Sequence, residues 1–272
     1  MPWTLAHPAA VLPLCRLPWL ARQPHALVLG AMAPDAARHV GLPGLGPWMH
    51  DWHAVLTWHW WVVALLAMLV SRAAPWLVHW WPSPLKAWGL RSLGHPGVRH
   101  RATWGADFAA ASAGALLGLA THLAWDSFTH DWGWPARHWP VLRALIPGFG
   151  VPVFSGLQLL SSALGVLLIV RALSVALAGP LADLRASSHA EPAAQAGRWW
   201  MPACAWLAAG LLLAWPIWQW LPEVGHGGEI DWAGQVLVSL VDGFTLSYLM
   251  VCGASQLVAG RSARRTARHP LP

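Results

Sequence analysis

The sequence predicts an all-α, polytopic integral membrane protein with about five spanning helices and a short N-terminal helical hairpin. Composition is the first reason for this prediction. Hydrophobic residues make up 56% of the 272 residues and charged residues 10%, whereas a soluble domain carries roughly 25% charged residues. The second reason is that several uncharged stretches approach the ~20 residues that a helix needs to cross a bilayer.

Each uncharged stretch is expected to be helical, because a helix satisfies its own backbone hydrogen bonds inside lipid. The first two predicted helices, residues 8–20 and 25–39, are too short to span a bilayer, and Pro24 favours a turn between them. Alternating strand patterns are absent from the sequence. The predicted helices cover residues 8–20, 25–39, 54–71, 105–129, 154–178, 199–221 and 232–259.

Basic residues predict the orientation of the chain, since Lys and Arg concentrate in cytoplasmic loops. With the Arg-rich C-terminal tail inside, most basic residues fall in inner loops, and the 40–53 and 130–153 loops fall outside. This arrangement predicts a multi-pass protein of the bacterial inner membrane. We expect a site-bearing membrane domain at 1–178. Residues 179–272 would form a linker, a two-helix membrane hairpin and a basic tail.

Other residue types exclude several classes of protein. The net charge of +6 is spread over loops and the tail, so it does not indicate a nucleic-acid partner. Cys15, Cys204 and Cys252 are far apart and show no metal-binding or redox spacing. The 23 tryptophans are more typical of belts at the two membrane interfaces than of a stacking site.

The segment THLAWDSFTH, residues 121–130, carries the strongest chemical signal. His122, Asp126 and His130 are four residues apart, so they form one polar stripe on a helix. Imidazole and carboxylate groups suit zinc, which activates a bound water in catalytic sites. A buried His–Asp hydrogen bond between helices explains the spacing at least as well. However, ionisable groups in membrane segments favour a functional site.

Further polar residues are predicted to reach the same outer face. His7 and Asp35 lie at equal distances from the turn near residue 21, so a re-entrant hairpin returns both to the outside. His50 and His53 occupy the outer loop that follows. The alternatives are a surface imidazole at His7 and a surface ion pair between Asp35 and Arg38.

Three segments together resemble a known family. They read MPWTLAHPAAVLPL from residue 1, ALVLGAMAPDAARHV from residue 26, and THLAWDSFTHDWGW from residue 121. Their order and wording are similar to the bacterial membrane family called domain of unknown function 4184, over residues 1–178. That family is in turn distantly similar to LexA-regulated, membrane-bound metal-dependent hydrolases and to zinc phospholipase C-like folds.

The resemblance implies a divalent metal site. From the residues themselves we expect zinc, with manganese as the alternative, and a catalytic role for His130 in orienting a ligand or shuttling protons. Register against the family motif favours His50 over His53 as the loop ligand. Family members carry a His soon after the outer loop, whereas this chain reads QLLSS at 158–162, so no role is carried over there. The implied metal ligands are His7, Asp35, His50, His122 and Asp126.

Together these observations predict a metal-dependent membrane hydrolase with its ion on the outer face, acting on phosphoester or lipid head groups. The predicted partners are the bilayer and a small-molecule or lipid substrate. One alternative is a proton- or cation-binding transporter, although no inverted repeat supports it. The other is a structural membrane protein with a buried His–Asp network.

Overall fold

The computed structural model describes residues 4–36, 45–79, 81–95 and 103–188, together with positions 207 and 210. Within these ranges the chain is mostly helical and forms no β-strand. An isolated antiparallel β-bridge pairs Leu145 with Pro152. The all-α class is therefore confirmed for the described residues. The predicted helices at 199–221 and 232–259 lie outside them, apart from two isolated positions.

Short helices and 3-10 turns form the N-terminal segment, and longer helices follow. The 3-10 turns are Thr4–Ala6, Leu14–Arg16, Leu20–Arg22 and Ala33–Asp35. A π-helical turn covers Val55–His59. The helices are α1 (Pro8–Val11), α2 (Pro24–Met32), α3 (Gly46–Met49), α4 (Trp52–Leu77), α5 (Ser83–Ser92), α6 (Trp104–Thr129), α7 (Trp134–His138), α8 (Pro140–Arg143) and α9 (Val153–Ser188).

Three helical segments are long and apolar enough to cross a membrane, as expected of a membrane protein. They are Trp52–Leu77, Trp104–His138 and Val153–Asp183. These segments contain the predicted spans at 54–71, 105–129 and 154–178. The predicted total of about five depends on residues beyond the described part of the chain.

The N-terminal segment differs from the two continuous helices predicted at 8–20 and 25–39. The first is broken into α1 and two 3-10 turns, because Pro13 and Pro18 lack the backbone N–H that a helix interior requires. Helix α5 is an addition to the predicted elements, since its polar and basic residues indicate a loop. Pro84 suits the first turn of α5 because the N–H there would be unpaired anyway.

Helix α2 packs closely against α6 because small residues line the contact. A Cβ atom built on Gly118 would lie 2.6 Å from the backbone nitrogen of Ala31, and one built on Gly30 would lie 2.6 Å from the carbonyl oxygen of Ala115. Gly114 and Gly118 are four residues apart, a spacing that lets membrane helices approach at backbone distance. Glycine is thus required where α2 and α6 cross.

An apolar core joins α2 and α6 to α4. Its buried members are mostly small or aliphatic, and a buried histidine of α2, His25, lies beside them with Nε2 2.6 Å from the carbonyl oxygen of Ala67. The members of the core are Ala26 from α2, Val55, Val63, Ala64, Ala67 and Met68 from α4, and Ala111, Ala115, Leu119 and Leu123 from α6. This core holds α2, the first two-thirds of α4 and the middle of α6 near one another.

The chain divides into two compact units. The first comprises Met1–Arg72 and Arg91–Ala178 and contains the core described above. The second comprises Ala73–Leu90 and Gly179–Pro272. The division into a site-bearing domain at 1–178 and a remainder at 179–272 stays a prediction.

Replacing Gly118 with Ala should lower the unfolding free energy by about 1–3 kcal/mol, because the added methyl group overpacks the contact with α2. Gly105→Ala is the matched control, since Gly105 lies on the same helix and a Cβ atom added there would have nothing within 4 Å. Thermal unfolding in detergent measures both changes. Equal melting temperatures for the two variants would contradict the packing argument.

Candidate metal centre

Five predicted site residues meet in one cluster inside the first unit, and each comes from an element with a local reason for its position. His122 and Asp126 are one turn apart on α6. Asp35 ends the 3-10 turn that follows α2, where Pro34 interrupts the helix. His50 caps α3, and His7 precedes Pro8 at the start of α1. Residues from four separate parts of the sequence therefore meet in one cluster.

Asp126 lies at the middle of the cluster, with two imidazoles near each oxygen of its carboxylate. Its Oδ1 atom is 3.5 Å from His7 Nε2 and 3.6 Å from His130 Nδ1. Its Oδ2 atom is 3.2 Å from His122 Nε2 and 3.8 Å from His50 Nε2. Asp126 is thus the one carboxylate that all four imidazoles approach.

Asp35 supplies a second carboxylate to the same space. Its Oδ1 atom is 3.3 Å from His50 Nε2 and 3.9 Å from His122 Nε2. Its Oδ2 atom accepts a hydrogen bond of 2.7 Å from Thr4 Oγ1. The alternative of a surface ion pair with Arg38 is wrong for Asp35, because this residue is only 3% exposed. Arg38 itself lies outside the described residues.

Backbone carbonyl groups fix the protonation of two imidazoles. His122 Nδ1 lies 2.7 Å from the carbonyl oxygen of Ala31, and His50 Nδ1 lies 2.9 Å from that of Gly46. A ring nitrogen facing a carbonyl oxygen carries the proton, so Nε2 of each neutral ring keeps its lone pair. Both lone pairs belong to the atoms nearest the two carboxylates. Metal-ligating histidines are commonly oriented in this way.

The cluster leaves buried acceptor atoms without a donor. His122 Nε2, Asp35 Oδ1 and Asp126 Oδ1 have no hydrogen-bond partner among the described residues. Acceptors that face one another in a buried site are unfavourable unless a cation or an extra proton lies between them. For zinc ligands at ~2.0–2.2 Å in a tetrahedral arrangement, neighbouring ligand atoms are about 3.3–3.6 Å apart. Four separations among the candidate ligand atoms, at 3.2–3.9 Å, are close to these distances.

The ligand atoms describe one ion rather than two. His7, His122 and Asp126 form one group whose atoms lie within 4.8 Å of each other, and Asp35, His50 and His122 form another. His122 belongs to both groups, and its Nε2 atom has a single lone pair because Nδ1 is bound to Ala31. The two groups therefore offer one candidate site rather than two.

His7 differs from the other candidate ligands in orientation. Its ring stacks on that of His122, with the centroids 3.9 Å apart and the planes inclined by 22°. A ligand lone pair lies in the ring plane, so two nearly parallel stacked rings do not point at the same ion. The ligand role of His7 stays a prediction, and it requires its ring to turn away from His122.

Burial and neighbouring charges shift the pKa values of Asp35, His50 and His7. Burial raises the pKa of Asp35, but the close approach of His50 and the other nearby imidazoles outweighs it and holds that pKa below its usual range. Burial lowers the pKa of His50, yet Asp35 raises it above the ordinary value. Burial, with His122 adding to it, lowers the pKa of His7 to about 4. His7 is therefore neutral near pH 7.

His130 stands beside the cluster with both ring nitrogens engaged. Its Nδ1 atom lies 3.2 Å from the backbone oxygen of Asp126, and Gln158 Nε2 donates to its Nε2 atom at 2.9 Å. Its ring stacks on Trp132 with a centroid distance of 5.5 Å. These contacts suit a group that positions Asp126 or holds a proton. The catalytic role of His130 stays a prediction.

Sequence reasoning missed several residues of this region. Thr4 carried a signal, since it opens the same motif as His7, but its partner Asp35 is 31 residues away. Gln158 belongs to the QLLSS segment to which no role was assigned. His53, the second loop candidate, is exposed. His59 received no role from the sequence; it is 1% exposed, and neither of its ring nitrogens has a hydrogen-bond partner in the described ranges.

Comparison with known proteins places these residues in a family context. A family described as domain of unknown function (DUF4184) matches residues 1–253. No curated protein matches the chain, and no solved structure matches it either. The family match extends beyond residues 1–178, where the sequence motifs lie.

Replacing Thr4 with Val should weaken zinc binding about 10–100-fold, as expected when a group that orients a ligand is lost. Valine keeps the shape of threonine but cannot donate to Asp35, whereas Thr4→Ser keeps the hydroxyl and should bind zinc nearly as well as wild type. Competitive titration against a chromophoric chelator measures the affinities. Similar affinities for the valine and serine variants would show that the hydrogen bond does not orient Asp35.

Replacing His59 with Leu should raise the unfolding free energy by about 1 kcal/mol, because a buried polar ring without partners is exchanged for an apolar side chain. Thermal unfolding in detergent measures the change, and zinc affinity should stay unchanged. A loss of zinc binding in this variant would show that His59 belongs to the site.

Proposed function

The chain belongs to the DUF4184 family, and we propose that it is a metal-dependent membrane hydrolase with a single divalent ion. Asp35, His50, His122 and Asp126 hold the ion, and His7 becomes a fifth ligand when its ring turns. One observation carries the proposal. Two buried carboxylates face the Nε2 atoms of His50 and His122, whose Nδ1 atoms both donate to carbonyl groups.

The donor set favours a divalent ion over buried protons alone. Two carboxylates bring two negative charges into a site where Asp35 and Asp126 are 3% exposed, and uncompensated buried charge is costly. Neutral imidazole and carboxylate ligands suit zinc, with manganese as the alternative. When bound, such an ion acts as a Lewis acid and lowers the pKa of a coordinated water.

The protein residues prepare the site before a substrate arrives. The Ala31 and Gly46 carbonyls hold the rings of His122 and His50, and Thr4 turns Asp35 so that Oδ1 faces the imidazoles. This preorganisation is typical of catalytic metal sites. His130, held by Gln158, is next to the carboxylate of Asp126 and can hold a proton there.

One side of the cluster is open, as a hydrolase requires. The side chains of His50 and His130 are 15% and 16% exposed, whereas that of His122 is fully buried. A substrate therefore reaches the ion from the side of His50 and His130. The orientation predicted from the basic residues places this side outside the cell.

Metal analysis of detergent-purified protein tests the proposal. Wild-type protein should carry about one equivalent of zinc or manganese per chain, because the ligand atoms describe a single ion, and Asp126→Asn and His122→Ala should lose it. Inductively coupled plasma mass spectrometry after gel filtration provides the measurement.

Asp107→Asn is the matched control. Asp107 lies on the same helix, is buried, and pairs with Arg22 at 3.7 Å rather than with an imidazole of the cluster. This variant should retain the metal. Unchanged metal content in both Asp126→Asn and His122→Ala would rule out the ligand assignment.

A further inference from the structure

Helix length places the candidate metal centre near one membrane interface. Trp104, which is exposed, begins α6, and Asp126 follows 22 residues later. At 1.5 Å per residue this segment is roughly 33 Å long, slightly more than the ~30 Å hydrocarbon core of a bilayer. If Trp104 lies at one interface, Asp126 lies at the other.

Exposed indoles mark the same depth around the cluster. Trp125 precedes Asp126, and Trp52 follows His50 by two residues. Tryptophan concentrates at the level of lipid headgroups, where its ring is apolar and its N–H is polar. The exposed tryptophans of this end are Trp48, Trp52, Trp125, Trp132, Trp134 and Trp139.

The opening of the site lies beside one of these indoles. His50 and His130 are its most exposed imidazoles. Trp132 stacks on His130 and meets His50 edge-on, with a centroid distance of 6.0 Å to the latter. A ligand that enters between these imidazoles must therefore pass Trp132.

The connection between α6 and α9 keeps Trp132 at the interface. It contains the short helices α7 and α8 and a turn, and its exposed apolar side chains include Val141 of α8 and Leu145 and Phe149 after it. Both ends of this connection continue into segments apolar enough to span. Arg137 of α7 donates to the carbonyl oxygen of Trp132, which ties Trp132 to this connection.

We propose, on the basis of the function proposed above, that the ligand of the ion is the phosphate group of a membrane lipid, which enters beside Trp132 from the headgroup layer. Phosphate is the anionic oxygen donor that phospholipids place at this depth. Zinc and manganese both accept oxygen ligands of this kind. A water-soluble phosphoester would not require an opening surrounded by interfacial tryptophans.

Electron–nuclear double resonance on manganese-loaded protein tests the proposal. The protein is placed in nanodiscs of phosphatidylcholine in phosphate-free buffer, and in delipidated dodecyl maltoside micelles with or without inorganic phosphate. A phosphorus hyperfine coupling to manganese should appear in the nanodiscs and be absent from both micelle samples. A coupling in micelles with inorganic phosphate, but none in nanodiscs, would identify a soluble ligand and overturn the proposal. Absence of coupling in every sample, at full manganese content, would overturn it as well.

Two variants locate the entry route. Trp132→Glu should keep one manganese per chain but lose the phosphorus coupling, because a carboxylate at the opening repels phosphate. Trp134→Glu is the control, since Trp134 stacks on His138 rather than on a cluster imidazole, and it should keep both manganese and coupling. Retention of the coupling in Trp132→Glu would refute entry beside Trp132. Absence of bound manganese in wild-type protein would instead count against the proposed function itself.

Discussion

The close crossing of α2 and α6 is the contact on which the rest of the site depends. Gly118 lets the backbone of α2 approach at the level of Ala31. The carbonyl of the same Ala31 accepts the hydrogen bond that sets the proton of His122, one turn further along α6. Helix packing and imidazole chemistry are therefore coupled at one residue. A shift of α2 by a few tenths of an ångström would lengthen that hydrogen bond and move Asp35, which follows α2, in the same direction.

The polar cluster is consistent with its apolar surroundings because its members neutralise and orient one another. A single ionised carboxylate near hydrocarbon is costly, and two are more so. Each carboxylate is approached by imidazoles, and Asp35 also receives the hydroxyl of Thr4. The backbone ends of α2 and α3 provide the carbonyl groups that hold the imidazoles. The remaining acceptors point inward, where a cation would satisfy them together.

The sequence predicted much of the cluster because its signals were local or followed from topology. The spacing of His122 and Asp126 required only a helix, and α6 is one. The prediction that His7 and Asp35 return to one side required only a short hairpin. It therefore holds although the helix predicted before Pro24 is broken into shorter pieces. Thr4, Gln158 and the glycines of the α2–α6 contact were missed because their importance depends on partners that only the fold brings near. The burial of His59 was not predicted because a Trp-rich neighbourhood does not reveal which face of α4 is buried.

The distribution of the cluster along the chain has a consequence for biosynthesis. His7 and Asp35 emerge from the ribosome well before His122, Asp126 and His130, which lie in α6 and directly after it. Contacts this distant in sequence form slowly compared with local helix formation. The cluster therefore forms only after α6 has been made. An ion bound there would be acquired late, once the first unit has assembled.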